Sequence, residues 1–122
     1  MGFSFVESIS ALDDDQKTYF YQLLAHFLTV SMRGILFGEG IPEADQIERA
    51  KWLNEVAHRI TYKIFFIQKG RSNFYSEEEI WNIVLLNAEK HPKTFEDLSS
   101  AIEMGYKFVL ENESDKVQMI AA

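Results

Sequence analysis

Cysteine is absent from the 122-residue sequence, and proline and glycine are scarce, with two and six copies. Without cysteine, a thiol nucleophile, a thiolate metal site and a disulfide are all excluded. No apolar run reaches the roughly 20 residues that a membrane-spanning helix needs. The N-terminus also lacks the charged and apolar regions of a signal peptide. We therefore expect a soluble, cytoplasmic protein that does not contact a membrane.

Sequence motifs of common enzyme classes are missing as well. The chain has no G-x-S-x-G nucleophile elbow, no glycine-rich nucleotide loop and no H-E-x-x-H zinc motif. Neither catalytic residues nor a metal or cofactor is predicted, and an enzyme is the less favoured class.

The net charge of −7 comes from 12 basic and 19 acidic residues. A negative chain is repelled by phosphate backbones, so nucleic acid is an unlikely partner. Many of the acids fall in the first turns of the helices predicted below, where they complement the helix dipole. These acids are Asp13, Asp14, Asp15, Glu43, Asp45, Glu77, Glu78, Glu79, Glu96 and Asp97. Most of the acidity therefore has a local structural explanation.

Turn and capping signals predict four helices. Asp13 and Gln16 have the spacing of a capping box, as do Ser76 and Glu79. The four helices are expected to run from Asp13 to about Phe37, from Pro42 to about Lys69, from Ser76 to about His91, and from Thr94 to about residues 111–113.

These helices predict an all-α fold, a four-helix bundle in which two long antiparallel helices precede a shorter helical hairpin. Residues 1–113 would form a single domain, with 1–12 as an N-terminal cap, and 114–122 would be a frayed tail. Apolar positions at helical spacing define the expected core faces. They are Phe20, Leu23, Leu24, Phe27, Leu28, Ser31 and Ile35; Ala50, Leu53, Ala57, Ile60 and Ile64; Ile80, Ile83, Val84 and Ala88; and Phe95, Leu98, Ile102, Tyr106 and Val109.

The predicted helix lengths are unequal. At 1.5 Å per residue the first two helices would be roughly 37 and 40 Å long and the last two roughly 24 and 27 Å. The long pair would thus extend beyond the short pair, and the uncovered length must be capped, bent over or buried against another chain. We therefore expect self-association, with a homodimer as the simplest form.

Large aromatic and polar side chains on the second long helix lie outside its predicted core stripe. Aromatic residues interleaved with arginine are typical of protein-binding hot spots, although the same rings could pack beneath another helix. The candidate interface residues are Trp52, Glu55, His58, Arg59, Tyr62 and Phe66. They predict a small protein-interaction module of regulatory, inhibitory or adaptor type.

Two alternative functions remain open. Glu55 and His58 have Glu-x-x-His spacing, which with His26 could form a metal site or a bundle enzyme. The second alternative is nucleic-acid binding through the basic loop that contains Lys69 and Arg71.

Overall fold

A computed structural model describes residues 6–38, 40 and 43–111, and all secondary structure within them is helical. The elements are α1 (Val6–Ser10), α2 (Asp14–Phe37), α3 (Ala44–Gln68), a 3₁₀ turn (Ser72–Phe74), α4 (Glu78–Leu86) and α5 (Pro92–Glu111). The all-α prediction is thereby confirmed. The predicted tail at 114–122, residues 1–5 of the predicted cap and Pro42 lie outside the described residues.

Both long helices begin with a reciprocal pairing of backbone and side chain. At the start of α2, the Gln16 N–H donates to Asp13 Oδ1 (2.8 Å) and the Asp13 N–H donates to Gln16 Oε1 (3.0 Å), which confirms the predicted capping box. At the start of α3, the Glu43 N–H donates to Gln46 Oε1 at 2.8 Å. Each contact satisfies a backbone donor that the helix itself leaves unpaired.

The two shorter helices have other boundaries than predicted. Helix α4 ends at Leu86 instead of His91, and the His91 N–H then donates to the Asn87 carbonyl within a turn. This turn carries His91 into the interior, where its side chain is buried. Helix α5 begins at Pro92 instead of Thr94, because proline fits the first helical position, where no N–H partner is needed.

The predicted capping box of Ser76 and Glu79 does not form, and α4 begins at Glu78 with Glu77 as its N-cap. Ser76 Oγ accepts from the Glu78 N–H at 3.2 Å. The Glu79 carboxylate instead accepts from Arg59 Nη1 on α3, also at 3.2 Å. A charged partner on a neighbouring helix has replaced the local backbone donor.

The core forms where α2, α3, α4 and α5 meet. Gln46 Nε2 donates to the Ile35 carbonyl at 3.1 Å, which joins the start of α3 to the end of α2. The stripe that α3 buries is displaced from the prediction: Val56 is buried, whereas Ala57 and Ile64 are half-buried. Fully buried side chains from the predicted faces are Phe20, Leu28, Leu53, Ile60, Ile80, Val84, Leu98, Ile102 and Val109.

Among the described helices, α2 is long and apolar enough to cross a membrane by length and composition, with a mean hydropathy of 1.2 over the best window. Core helices of soluble proteins meet the same criterion. In α2, Phe20, Tyr21 and Leu28 are buried inside the chain, and 22% of the apolar window is buried in total. The cytoplasmic location predicted from the sequence stays a prediction.

Candidate protein-interaction surface

Trp52 belongs to the core and not to the surface proposed from the sequence. Its side chain is 4% exposed. Its Nε1–H donates to the Ile83 carbonyl of α4 at 2.9 Å, and its ring stacks on the His91 imidazole with the ring centroids 5.9 Å apart. The packing alternative is therefore correct for Trp52: the side of α3 that carries it lies under α4 and the turn that follows.

Arg59 links α3 to α4 and to Tyr75 in the segment between them. Its guanidinium lies 3.6 Å from the Glu55 carboxylate on α3 and 3.2 Å from that of Glu79 on α4. It also donates to the Tyr75 hydroxyl at 3.3 Å. The hydrogen bond to Tyr75 is the largest of the effects that raise the pKa of Arg59, with the two carboxylates acting in the same direction. Arg59 thus positions Tyr75 beside α3 and stays charged.

Next to Arg59 on α3, His58 and Tyr62 form an exposed pair. His58 Nε2 lies 3.2 Å from the Tyr62 hydroxyl, and the rings meet edge to face with centroids 4.8 Å apart. The Tyr62 side chain is 47% exposed. Its ring also faces that of Tyr75 at 5.9 Å, so the pair continues into the aromatic residues that follow α3.

Five aromatic residues gather at the C-terminal end of α3, and we call them the aromatic patch: Tyr62, Phe65, Phe66, Phe74 and Tyr75. The Phe66 ring is the centre, stacked on Tyr75 with the rings 8° from parallel. Its centroid lies 5.3 Å from that of Phe65 and 6.2 Å from that of Phe74. Phe65 and Phe74 remain 49% and 70% exposed, so the patch presents apolar rings directly to solvent.

Two cations border the aromatic patch. Lys69 Nζ lies 5.5 Å from the centroid of the Phe65 ring, and the Arg71 guanidinium lies 5.4 Å from that of Phe74. Both distances are within the range of cation–π attraction. An open depression of about 370 Å³ is lined by Phe65, Phe66, Lys69 and Arg71. The loop that the nucleic-acid alternative relied on is therefore one edge of the aromatic patch.

The chain reverses after α3 at a glycine. Gly70 has a φ of +72°, a conformation that costs glycine little, and the Arg71 N–H then donates to the Phe66 carbonyl at 2.8 Å. This reversal places the 3₁₀ turn alongside the helix that precedes it. Phe74 and Tyr75 thereby reach the ring of Phe66.

A buried lysine fixes the returning segment. Lys63 is 4% exposed, and its Nζ donates to the Ser72 and Tyr75 carbonyls at 2.7 Å each. Burial lowers the pKa of Lys63, and the nearby Glu77 carboxylate opposes that effect. These charged hydrogen bonds tie both ends of the segment to α3, so the patch rings are held in place before any partner arrives.

Glu77 extends this anchor to α2. Lys17 Nζ donates to Glu77 Oε1 at 2.8 Å, and the Tyr21 hydroxyl donates to Glu77 Oε2. Burial and the adjacent carboxylate raise the pKa of Tyr21 well above its ordinary value. The start of α2 and the start of α4 are thus joined on the side of the chain that carries the patch.

The three residues of the proposed metal site, all of which the structure describes, form no hydrogen bond or ion pair with one another, and two of them pair with other side chains. Glu55 pairs with Arg59, His58 pairs with Tyr62, and His26 is exposed on α2. In the part of the chain that the structure describes, no three histidine, aspartate or glutamate side chains are placed to hold a metal ion together.

One side of α3 carries five of the residues predicted from the sequence: Glu55, His58, Arg59, Tyr62 and Phe66. The sequence pattern did not predict that Phe65 and Phe74 belong to the patch or that Lys63 anchors it. The signal for these rings was the consecutive pairs Phe65-Phe66 and Phe74-Tyr75. Neighbouring side chains point in different directions, so both rings of a pair cannot face the same side of the core.

Comparisons of the chain with protein-family models, with curated proteins and with solved structures found no match.

Proposed function

We propose that this protein is a small protein-interaction module, of regulatory, inhibitory or adaptor type, that binds through the aromatic patch and the polar residues beside it. The observation that carries the proposal is the shared exposure of Phe65, Phe74 and Tyr62 beside Lys69 and Arg71. Aromatic residues and arginine are enriched in interface hot spots, where rigid rings bind at a low cost in entropy. The proposed interface consists of the patch with Glu55, His58 and Arg59, and it excludes Trp52.

The exposed area indicates the strength of such binding. An aromatic side chain presents roughly 200 Å². The exposed fractions of 70%, 49% and 47% at Phe74, Phe65 and Tyr62 then amount to roughly 300 Å². Covering this area contributes roughly 8 kcal/mol before the cost of association, which is itself roughly 4 to 15 kcal/mol. The patch can therefore anchor an interface, and the surrounding polar residues must supply the remaining contacts.

The proposal includes the architecture that presents the patch. In this architecture, a four-helix bundle consists of α2, α3, α4 and α5, and the long α2–α3 pair is followed by the shorter α4–α5 hairpin. Support comes from the contacts of α3 with both α2 and α4, and of α5 with α2. It also includes a cytoplasmic location and self-association as a homodimer, both of which are predictions from the sequence.

The test replaces exposed rings and compares matched positions. Phe74 and Phe37 are 70% and 79% exposed, but Phe37 lies at the end of α2, far from the patch. We expect Phe74→Ser to weaken binding to a protein partner, or to a second copy, by at least about tenfold, as hot-spot truncations do. Phe37→Ser should bind like the wild type.

Sedimentation velocity and affinity purification with the tagged protein measure both forms of binding. Circular dichroism confirms that each variant is folded. Equal loss in the two variants, or no loss in either, would contradict a role for the aromatic patch.

Single-stranded nucleic acid is the second candidate, because bases stack on exposed rings that lie beside cations. The Lys69–Phe65 and Arg71–Phe74 pairs are the observation that favours it. The net charge of −7 opposes it. Binding of a fluorescent oligonucleotide should then weaken steeply with added salt. Affinity that does not change with salt, or no binding at low salt, would eliminate this candidate.

A further inference from the structure

A second apolar depression lies between the end of α4 and the start of α5. We call it the acidic groove. It has a volume of about 500 Å³, and Leu85, Pro92 and Phe95 supply apolar lining while Glu89 and Glu96 supply charge. Leu85 and both glutamates are exposed. The groove thus offers an apolar floor with negative charge beside it.

The lysines near the acidic groove do not cancel this charge, because each pairs with another carboxylate. Lys90 pairs with Glu48 on α3, and Lys93 lies 4.0 Å from Asp97 one turn along α5. Within the described residues, Glu89 has no such partner. The two glutamates therefore remain the charges that a bound group would meet.

The aromatic patch and the acidic groove are complementary in charge and in polarity. The patch has exposed rings bordered by Lys69 and Arg71, and the groove has apolar walls bordered by Glu89 and Glu96. If the patch bound the same patch on a second molecule, Lys69 and Arg71 of the two copies would lie close together. Repulsion between these positive charges opposes a symmetric patch-to-patch dimer.

The two surfaces lie at different levels along α3. The contacts of Trp52 with Ile83 and His91 place the groove end of α4 at the level of Trp52 on α3. The patch begins at Tyr62, ten residues further along α3, which corresponds to roughly 15 Å at the rise of a helix.

We propose that the aromatic patch of one copy binds the acidic groove of a second copy, head to tail. This inference rests on the proposed function, since it names the partner of the same surface. Each molecule carries one patch and one groove, so such a contact leaves one of each unoccupied unless a ring closes. A ring of two copies, in which each patch binds the other copy's groove, is the homodimer of the proposed function; without closure, assembly grows with concentration.

The test uses two variants that each destroy one half of the contact. The patch variant carries Phe65→Ser and Phe74→Ser, and the groove variant carries Glu89→Lys and Glu96→Lys; all four side chains are exposed. We expect wild type to self-associate as its concentration rises, and each variant alone to bind itself at least about tenfold more weakly. Mixed in equal amounts, the variants should form a 1:1 heterodimer, because one supplies an intact patch and the other an intact groove.

Sedimentation equilibrium of the three samples and of the mixture measures these species, with circular dichroism as the folding control. A second groove variant, Leu85→Ser, changes no charge, and it should weaken self-association in the same way because Leu85 lines the groove. A mixture that stays monomeric while wild type associates would overturn the inference, as would a groove variant that associates like wild type. If wild type stays monomeric, the head-to-tail contact is refuted, whereas the proposed function fails only when patch variants change no protein binding.

Discussion

Trp52→Ala is expected to lower the free energy of unfolding strongly and to leave the aromatic patch unchanged. The Trp52 side chain is 4% exposed and donates to the Ile83 carbonyl at 2.9 Å. Truncation of a buried tryptophan costs about 3 to 5 kcal/mol, which includes the cavity it leaves, and the carbonyl also loses its partner. For a chain of this length, a loss of about 4 kcal/mol lowers the melting temperature by roughly 15 °C. Tyr62→Ala, on the same helix but 47% exposed, should cost about 1 kcal/mol or less.

Urea denaturation followed by circular dichroism gives the free energy of unfolding of both variants, and sedimentation velocity gives their assembly. Trp52→Ala should be much the less stable of the two and, at a temperature where it is folded, should bind like the wild type. Tyr62→Ala should show the opposite pattern. A loss of less than about 1 kcal/mol in Trp52→Ala would refute the assignment of Trp52 to the core.

Two further predictions concern pH. Burial and Glu77 raise the pKa of Tyr21 well above its ordinary 10.0, so above that pH the unfolded chain releases a proton that the folded chain keeps. The stability advantage of wild type over Tyr21→Phe should therefore shrink as the pH rises past about 10, and an advantage that is constant there in urea titrations would contradict this. The hydrogen bond from Lys90 lowers the pKa of Glu48 below its ordinary 4.5, so any advantage over Glu48→Gln should be present above that pH and disappear as the pH falls below it. The same titrations in acid check this, and an advantage that grows in acid would contradict it.

The two long helices of this protein follow from local signals. The capping box of Asp13 and Gln16 and the glycine at position 70 act within a few residues, so sequence spacing predicts them. The short helices depend on distant partners instead. Arg59 takes the Glu79 carboxylate away from its cap, and no spacing within α4 contains that information.

The candidate surface could likewise be predicted only in part from the sequence. Periodicity places Arg59 and Tyr62 away from the core stripe, and both lie there. It cannot tell which side of a long helix a later element will cover, and so Trp52, which α4 covers, was grouped with them. It also cannot identify a buried lysine such as Lys63, because its two carbonyl partners are supplied by a loop that returns after the helix ends.

The central claim is that a protein covers the aromatic patch, and a photo-crosslinking amino acid at position 74 tests it most directly. The same group at position 37, an equally exposed phenylalanine on another part of the surface, is the control. Irradiation of the intact protein with its partners present should give a discrete protein adduct at position 74, lost when Phe65→Ser is added, and none at position 37. The mass of that adduct identifies the partner as a second copy or another protein. The same pattern of adducts at both positions, or none at position 74, would contradict the claim.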